Sequence, residues 1–410
     1  MTGQEAAAST RAIDFTNFRG ATTRTARDIN RRIVLNLIRK HQPISRADLS
    51  RRSRLQRSTV SAITEQLIAE RWVTTGAFGD APRGRKPAFL HLNGDRAGII
   101  GIDVRPGETK LVLADLDMRF LAQESMPTHQ DPQQLIAELS ERIAKLRHTH
   151  AGLDFEGIGV SMSGRVDLRS SRLMFAPNLG WQPVDFRQPL EAATGLPVQL
   201  ENAANACALA EFWSGTHPEE VRNLVAVTIY EGIGVGMILN GQLVRGTSGM
   251  AGEFGHVTVQ EDGPPCKCGN RGCFEACASN NAALRYFKEA ALANGQAAPG
   301  IEANFDLILK LAEAGDLAAA ATLERMAHFL GIGLAMIITG LAPDVIVVVG
   351  GVSRAWNRVG PIINEVISRR LPSPTKAHTR ILPGALEMNP RLRGAVALVL
   401  QKHFGALHFI

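Results

Sequence analysis

Four of the five cysteines lie between Cys266 and Cys277. In a chain without a secretory signal, such a cluster points to metal before disulfides. Three of them stand in Cys266-Lys267-Cys268-Gly269-Asn270-Arg271-Gly272-Cys273, with His256 upstream. One imidazole and three thiolates make a closed tetrahedral zinc site of the structural kind. The spacing would clamp a loop that cannot form a core of its own. The bland alternative is a set of unligated buried cysteines beside a hydrogen-bonded histidine. Cys277 falls outside the spacing and reads as packing, and Cys207, on a predicted helix, reads as core.

A second group of residues suits a polyanion. Met1 to Leu92 carries 17 Lys+Arg and 7 Asp+Glu, a net +10. The whole chain carries +6, so the remainder carries −4. A basic front on a mildly acidic body predicts contact with nucleic acid. Within it, the stretch from Ile44 to Val73 has the spacing of a helix, a turn and a recognition helix. With Val60, Ile63, Leu67 and Ile68 turned inward, Arg57, Ser58, Thr59 and Ser61 are left near the exposed N-terminal end that enters the major groove of double-stranded DNA in this motif. Ser53 and Arg54 stand where the turn usually has glycine. Further on, Arg83-Gly84-Arg85-Lys86-Pro87 forms a flat basic strip that fits a narrow minor groove. Arg83, Arg85 and Lys86 are its DNA-binding candidates. A solvated basic loop is the competing reading.

The elements that must hold these groups follow from periodicity. Residues 1–26 are polar and small and predict a disordered tail. Residues 27–93 predict a winged helix-turn-helix: a first helix with Ile29, Ile33, Leu37 and Ile38 inward and stopped by Pro43, two more helices, and a two-stranded wing from Trp72 to Leu92. Residues 94–410 predict an α/β body of two similar lobes. Each lobe opens with a strand–turn–strand hairpin, first at GIIGIDV and TKLVLADL, then at NLVAVTIYEGIGVGMILNG. The last helical segment is expected to pack back on either lobe. No run of 18 apolar residues occurs, so no membrane span is expected. Met1–Phe15 lacks the apolar segment of a secretory signal, which makes the expected location cytoplasmic.

The body resembles the ROK family of repressors, open reading frames and sugar kinases, specifically its repressor branch. Three motifs carry the resemblance. The segment from Glu231 to His256, EGIGVGMILNGQLVRGTSGMAGEFGH, matches the family's spaced-glycine signature. The His256 and cysteine pattern matches its zinc loop. The segment LENAANACALAE matches a place where the kinases read Glu-Asn-Asp-Ala-Asn. The resemblance implies an actin-like (ribonuclease H-like) two-lobed fold. It also implies a site for a sugar or sugar phosphate lined by Asn178, Asn202, Glu253, His256 and Glu275, with His256 serving metal and sugar both. In the kinases the Asp of the third motif is the base that deprotonates the sugar hydroxyl. Here Ala203 stands in its place, and alanine accepts no proton. The kinases' Asp-x-Gly-Gly-Thr-Lys loop is replaced by Asp103-Val104-Arg105-Pro106-Gly107-Glu108-Thr109-Lys110. Pro106 removes a donor there, and Glu108 would repel phosphate. The second phosphate loop reads Tyr230-Glu231-Gly232-Ile233-Gly234, with a bulky ring and a carboxylate in place of small donors.

The resulting expectation is a non-catalytic, cytoplasmic transcriptional regulator of carbohydrate genes. It would bind DNA as a homodimer or a dimer of dimers, carry structural zinc, and respond to a sugar such as xylose, glucose, N-acetylglucosamine or their phosphates. Two readings compete: a constitutive DNA-binding dimer with a vestigial sugar site, and an active sugar kinase with a DNA-binding appendage.

Overall fold

The computed structural model describes residues 23–78, 88–167, 172–176, 178–215, 217, 221–293, 304–371, 379–385 and 389–404. The chain divides into two compact units, Met1–Asn93 with Gln401–Ile410, and Gly94–Leu400.

The first unit is built from α1 (Thr23–His41), α2 (Arg46–Ser53), α3 (Arg57–Ala69) and the wing strands β1 (Val73–Phe78) and β2 (Ala88–Leu92). Helix α1 begins at Thr23. Its buried face is Val34, Leu35 and Ile38, while Ile33 is 38% exposed and Ile29 and Leu37 are half-buried. The inward stripe therefore lies one residue round from the one expected. Val60, Ile63 and Leu67 of α3 are buried as expected, but Ile68 is only half-buried and Thr64 is fully buried. Thr64 is satisfied on both sides, accepting from Arg46 Nε at 3.0 Å and donating to the Ser61 carbonyl at 3.0 Å. Ser45 caps α2 by accepting from the Asp48 amide. Arg54 takes the left-handed conformation at φ 59°, the backbone a glycine would usually supply in this turn. Ile44 pairs with Leu90 on the wing through two backbone hydrogen bonds.

The second unit repeats one plan twice. Its first lobe holds β3 (Ala97–Val104), β4 (Glu108–Ala114), β5 (Phe120–Pro127), α4 (Pro132–Thr149), β6 (Asp154–Met162), the short hairpin β7 (Arg165–Asp167) and β8 (Arg172–Phe175), α5 (Arg187–Thr194), β9 (Val198–Asn202) and α6 (Ala203–Ser214). Its sheet runs β5-β4-β3-β6-β9. The second lobe holds β10 (Leu224–Ile229), β11 (Ile233–Leu239), β12 (Gln242–Val244), α7 (Phe274–Ala278), α8 (Asn280–Ala293), α9 (Phe305–Glu313), α10 (Leu317–Leu341), β13 (Val345–Gly350), α11 (Trp356–Arg370) and β14 (Arg380–Pro383). Its sheet runs β12-β11-β10-β13-β14. In each sheet an antiparallel meander of three strands continues into parallel strands. This is the duplicated actin-like arrangement that the paired hairpins predict. β3, β10 and β13 are buried over nearly their full length, as strands covered on both faces must be. Helix α10 is long and apolar enough to cross a bilayer by length and composition, yet 61% of that window is buried. Leu323, Met326, Leu330 and Leu334 form part of the second lobe's core, so it is a core helix.

The last helix, α12 (Pro390–Phe404), runs through the division between the units. Its residues to Leu400 pack on the first lobe, and its final turn belongs to the first unit. The contact with the first lobe is backbone against backbone. A Cβ on Gly159 of β6 would lie 1.8 Å from the Ala395 carbonyl oxygen. Gly159→Ala is therefore expected to lower stability by about 1–3 kcal/mol or more, the usual cost of overpacking a rigid contact. A urea midpoint unchanged from the parent protein would show that α12 is not held this closely.

Candidate functional site

The four expected metal ligands are assembled. Nitrogen and sulfur atoms of His256, Cys266, Cys268 and Cys273 all lie within 4.8 Å of one another. Cys266 Sγ is 3.7 Å from His256 Nδ1, and Cys268 Sγ is 3.7 Å from Cys273 Sγ. A tetrahedral ion with metal–sulfur bonds of about 2.3 Å spaces its sulfurs by about 3.8 Å, so these edges fit such an ion without rearrangement. The knuckle is held by local pairing: the Cys266 amide donates to Asn270, the Gly269 amide to Cys266, and Thr258 bridges Cys273. Cys273 is fully buried, Cys266 nearly so, and Cys268 is exposed. Burial pushes the Cys273 thiol up to about 12, and burial also raises Cys266. The Asn270 backbone amide lowers Cys268. A metal ion would have to displace the protons that burial favours, which ties metal affinity to pH. Cys277 and Cys207 are both buried and outside the cluster.

His256 Nδ1 is the ring nitrogen beside Cys266 Sγ, and Nε2 lies 3.7 Å from Glu253 Oε2. The structure thus brings two of the expected sugar residues together at the edge of the metal cluster. Glu275 follows Cys273 in the first turn of α7, and its Oε2 accepts the Ile233 amide at 3.0 Å. A Cβ on Gly232 would lie 2.3 Å from that same oxygen. The metal loop therefore braces the tight turn between β10 and β11. Asn178 is exposed, and its Oδ1 accepts from Lys267 Nζ at 3.3 Å, between two of the cysteines in sequence. Asn202 is half-buried. Its Oδ1 caps α6 at the Ala204 amide, and its Nδ2 donates to the Gly164 carbonyl. Its amide is thus engaged with backbone. Neighbouring Glu201 is buried and ties Asn202's amide, Asn205 and Arg245 together, the last at 2.7 Å. Ala203 is the first residue of α6.

The two segments read in the sequence as altered phosphate loops lie at strand ends, after β3 and after β10. Val104, Met162 and Asn202 lie in register at the C-terminal ends of β3, β6 and β9, where parallel sheets bind ligands. Asp103, one residue back, is fully buried. Arg105 Nε reaches its Oδ2 at 2.5 Å, and Arg391 Nε, from the first turn of α12, lies 2.7 Å from Oδ1. The Arg391 N–H points off that line, so the contact is Coulombic more than a hydrogen bond. Arg391 also donates from Nη2 to Ser163 Oγ at 2.9 Å and to the Val104 carbonyl at 3.2 Å. Arg105 lies over the Tyr230 ring at 5.8 Å from its centre. Burial works against the Arg105 charge, yet the Asp103 carboxylate raises its pKa. Burial pushes the Tyr230 phenol up to about 12, so it stays neutral. The first segment thus contributes an arginine that lies over a ring of the second. Glu108 plays no such part: its carboxylate accepts from Ser125 and pairs with Lys110 along β4, with no contact to Arg105 stronger than long-range attraction. Sequence reasoning assigned Arg105 no role, although its charge between Asp103 and Pro106 was visible. It also missed Arg391, for which no local signal exists.

In the first unit Arg57 and Ser58 are exposed at the start of α3, and Thr59 and Ser61 are half-buried. Gln56 stands at the cap position without a side-chain cap, leaving the first amides of α3 open to an acceptor. Arg83, Arg85 and Lys86 lie outside the described residues.

Glu275→Ala removes the acceptor of the Ile233 amide. It is expected to destabilise the protein by about 1–3 kcal/mol, with Glu275→Gln restoring most of the loss because its amide oxygen can accept the same bond. Chemical denaturation of the two variants checks this, and equal losses in both would mean that charge rather than the hydrogen bond matters.

The ROK family model matches residues 99–402. The chain is 31% identical over 385 residues to the xylose repressor of Bacillus subtilis, covering 92% of this chain and 96% of that protein. A solved ROK family transcriptional regulator, a homologue of the E. coli MLC protein, superposes with a TM-score of 0.78 at 26% identity, over 92% of this chain and 98% of the other. A ROK family glucokinase from Streptomyces griseus, solved with glucose and AMPPNP, superposes with a TM-score of 0.66 at 29% identity, over 74% of this chain and 100% of its own. The family model covers most of the chain and the likenesses run along nearly its whole length, and the protein belongs to the ROK family.

Proposed function

We propose that this protein is a cytoplasmic, sugar-responsive DNA-binding repressor whose ROK body binds sugar and does not phosphorylate it. The observation that carries the proposal is the reach of the likeness. The Bacillus subtilis xylose repressor aligns over 92% of the chain, front included, whereas the glucokinase aligns over 74%. The chemistry supports the same reading. Ala203 offers no base for a sugar hydroxyl, and Arg105 with Tyr230 fills the space of the phosphate loops. Both groups of residues needed for recognition remain. Arg57, Ser58, Thr59 and Ser61 would meet the major groove, and Arg83, Arg85 and Lys86 an adjacent minor groove. Asn178, Asn202, Glu253, His256 and Glu275 would line the sugar site, where carboxylates and amides suit a polyol. Asn202 would act there through its position on the α6 cap, since its side chain already holds backbone. D-xylose is the first candidate effector, because the relatives that match along the whole chain are named for it. One reading head offers little specificity, so a dimer on a pseudo-palindromic operator completes the proposal.

Duplexes selected from a random pool provide the direct test. Affinity for them is expected to fall steeply with salt and to drop at least tenfold on adding D-xylose. Salt-dependent binding that no sugar alters would favour the constitutive binder, and turnover of ATP with a sugar would favour the kinase.

The metal is proposed to be zinc, one per chain, held by His256, Cys266, Cys268 and Cys273. The three thiolates and one imidazole suit it better than a harder ion. Elemental analysis is expected to give about one equivalent. Cys268→Ser should lose the metal and, by releasing the loop that carries Glu275, weaken the sugar response while DNA binding persists. Protein free of stoichiometric zinc yet fully responsive would contradict the assignment.

A further inference from the structure

Residues Gly94–Leu400 form one compact unit, and within it a single buried carboxylate is shared by both lobes. Glu201, the fourth residue of β9, is 2% exposed. Its Oε1 accepts the Asn202 amide at 3.0 Å and Asn205 Nδ2 at 2.9 Å, both in the first lobe. Its Oε2 accepts Arg245 Nε at 2.7 Å, from the chain just beyond β12 in the second lobe. Strand register sets Asp103, Ser161 and Glu201 in one row across β3, β6 and β9. The two carboxylates of that row are paired differently. Asp103 meets Arg105 and Arg391, from its own lobe and from the helix packed on it, whereas Glu201 takes its cation from the other lobe.

Arg245 also opens the segment that leads to Glu253 and His256. Its carbonyl accepts the Ala251 amide at 3.0 Å, which closes the intervening residues into a loop. Gly249 and Gly252 there have φ of 72° and 95°, the left-handed region that favours glycine. A Cβ on Gly249 would lie 2.5 Å from the Val166 carbonyl oxygen of β7, in the first lobe. A Cβ on Gly252 would lie 2.2 Å from the Val235 carbonyl oxygen of β11, in the second. Arg165 Nη1, beside Val166, donates to Met250 Sδ at 3.0 Å. The loop is thus laid across the junction of the lobes, against backbone on each side, and Glu253 follows it directly. On the other side of the ion pair, Glu201 immediately precedes Asn202, whose Oδ1 caps α6.

From these contacts we infer that Arg245 is a positioning residue of the sugar site: its pairing with Glu201 holds Asn202 on one lobe and Glu253 and His256 on the other at the spacing a bound polyol requires. The inference rests on the sugar-binding reading above and needs no contact between Arg245 and the sugar. Groups from two lobes serve one small ligand only while the lobes keep one spacing. A carboxylate as buried as Glu201 is strongly unfavourable without its partner, so the pair resists separation. Without Arg245 the lobes would sample a wider range of spacings. Part of the interaction with sugar would then go into drawing them together, and the measured affinity would fall.

Calorimetric titration of the full chain tests this, with D-xylose, D-glucose and N-acetyl-D-glucosamine as probes. Arg245→Gln is expected to weaken the tightest of these by about tenfold or more. Glu201→Gln keeps an oxygen for Asn202 and Asn205 but turns an amide toward Arg245. It is expected to show the same loss, and it carries the test where Arg245→Gln does not fold. The double variant should bind no more weakly than the weaker single one, because one interaction is removed only once. Arg245→Lys should stay within about threefold of the parent, since a single nitrogen bonds Glu201 and the guanidinium fork is not used. Affinity within about threefold of the parent in either folded glutamine variant overturns the inference and leaves the sugar-binding reading intact. Additive losses, or a loss in Arg245→Lys as large as in Arg245→Gln, overturn it as well, because general loosening rather than the pair would then be responsible. A parent protein that binds none of the three sugars overturns both readings.

Discussion

A carboxylate buried between two guanidiniums organises the ligand end of this protein. Asp103 has no exposed surface, and Arg105 and Arg391 meet its two oxygens. A buried charge of this kind is tolerable only when paired, and removing one partner of such a pair typically costs about 3–5 kcal/mol. The family's kinases place a glycine where Arg105 stands, so an open loop is free to take phosphate. Here the same aspartate fixes an arginine in that space, and the arginine in turn rests on Tyr230. Opening the loop would strand Asp103 with a single partner. The geometry proposed to exclude nucleotide is therefore the geometry that keeps this buried carboxylate paired, and Arg391 fastens the first turn of α12 to it.

The metal knuckle performs a comparable service on the second lobe. Through Glu275 it fixes the turn at Gly232 and Ile233, next to the loop that carries Tyr230. Through His256 it orients Glu253. A structural ion, as proposed here, would set the position of the carboxylates proposed to hold sugar. The two halves of the site are joined at Arg105 and Tyr230, and again where Glu201 on β9 pairs with Arg245 beyond β12. Both junctions link one lobe to the other, so a ligand that changes the angle between lobes must act on them.

Much of this was legible in the sequence because the signals are local. The Cys-x-Cys and Gly-Cys spacing, the spaced glycines before His256 and the paired hairpins each sit within a few dozen residues, and each appears in the structure where expected. Ala203, on which the proposal of a missing base rests, is likewise visible by its position alone, at the first residue of α6. The failures share a cause. Helix α1 has apolar residues on neighbouring stripes, so its period allows Ile33 or Val34 inward, and only packing against α3 and the wing decides for Val34, Leu35 and Ile38. Glu108 reads as a charge in a phosphate loop, but strand alternation places it beside Ser125 and Lys110. Arg391 pairs with a residue 288 positions earlier, and a contact of that span leaves no trace in local pattern. The final turn of α12 belongs to the first unit for the same kind of reason.

The central claim is that the body keeps a sugar site and has closed its nucleotide site with its own side chains. Calorimetric titration tests both halves on one sample, using D-xylose, D-glucose and N-acetyl-D-glucosamine in turn and then AMPPNP with magnesium. The account predicts saturable heat from at least one sugar and none from the nucleotide, whether or not that sugar is present. Micromolar binding of AMPPNP by the unaltered protein would contradict it, because Arg105 and Tyr230 could not then occupy the phosphate loops as they do here.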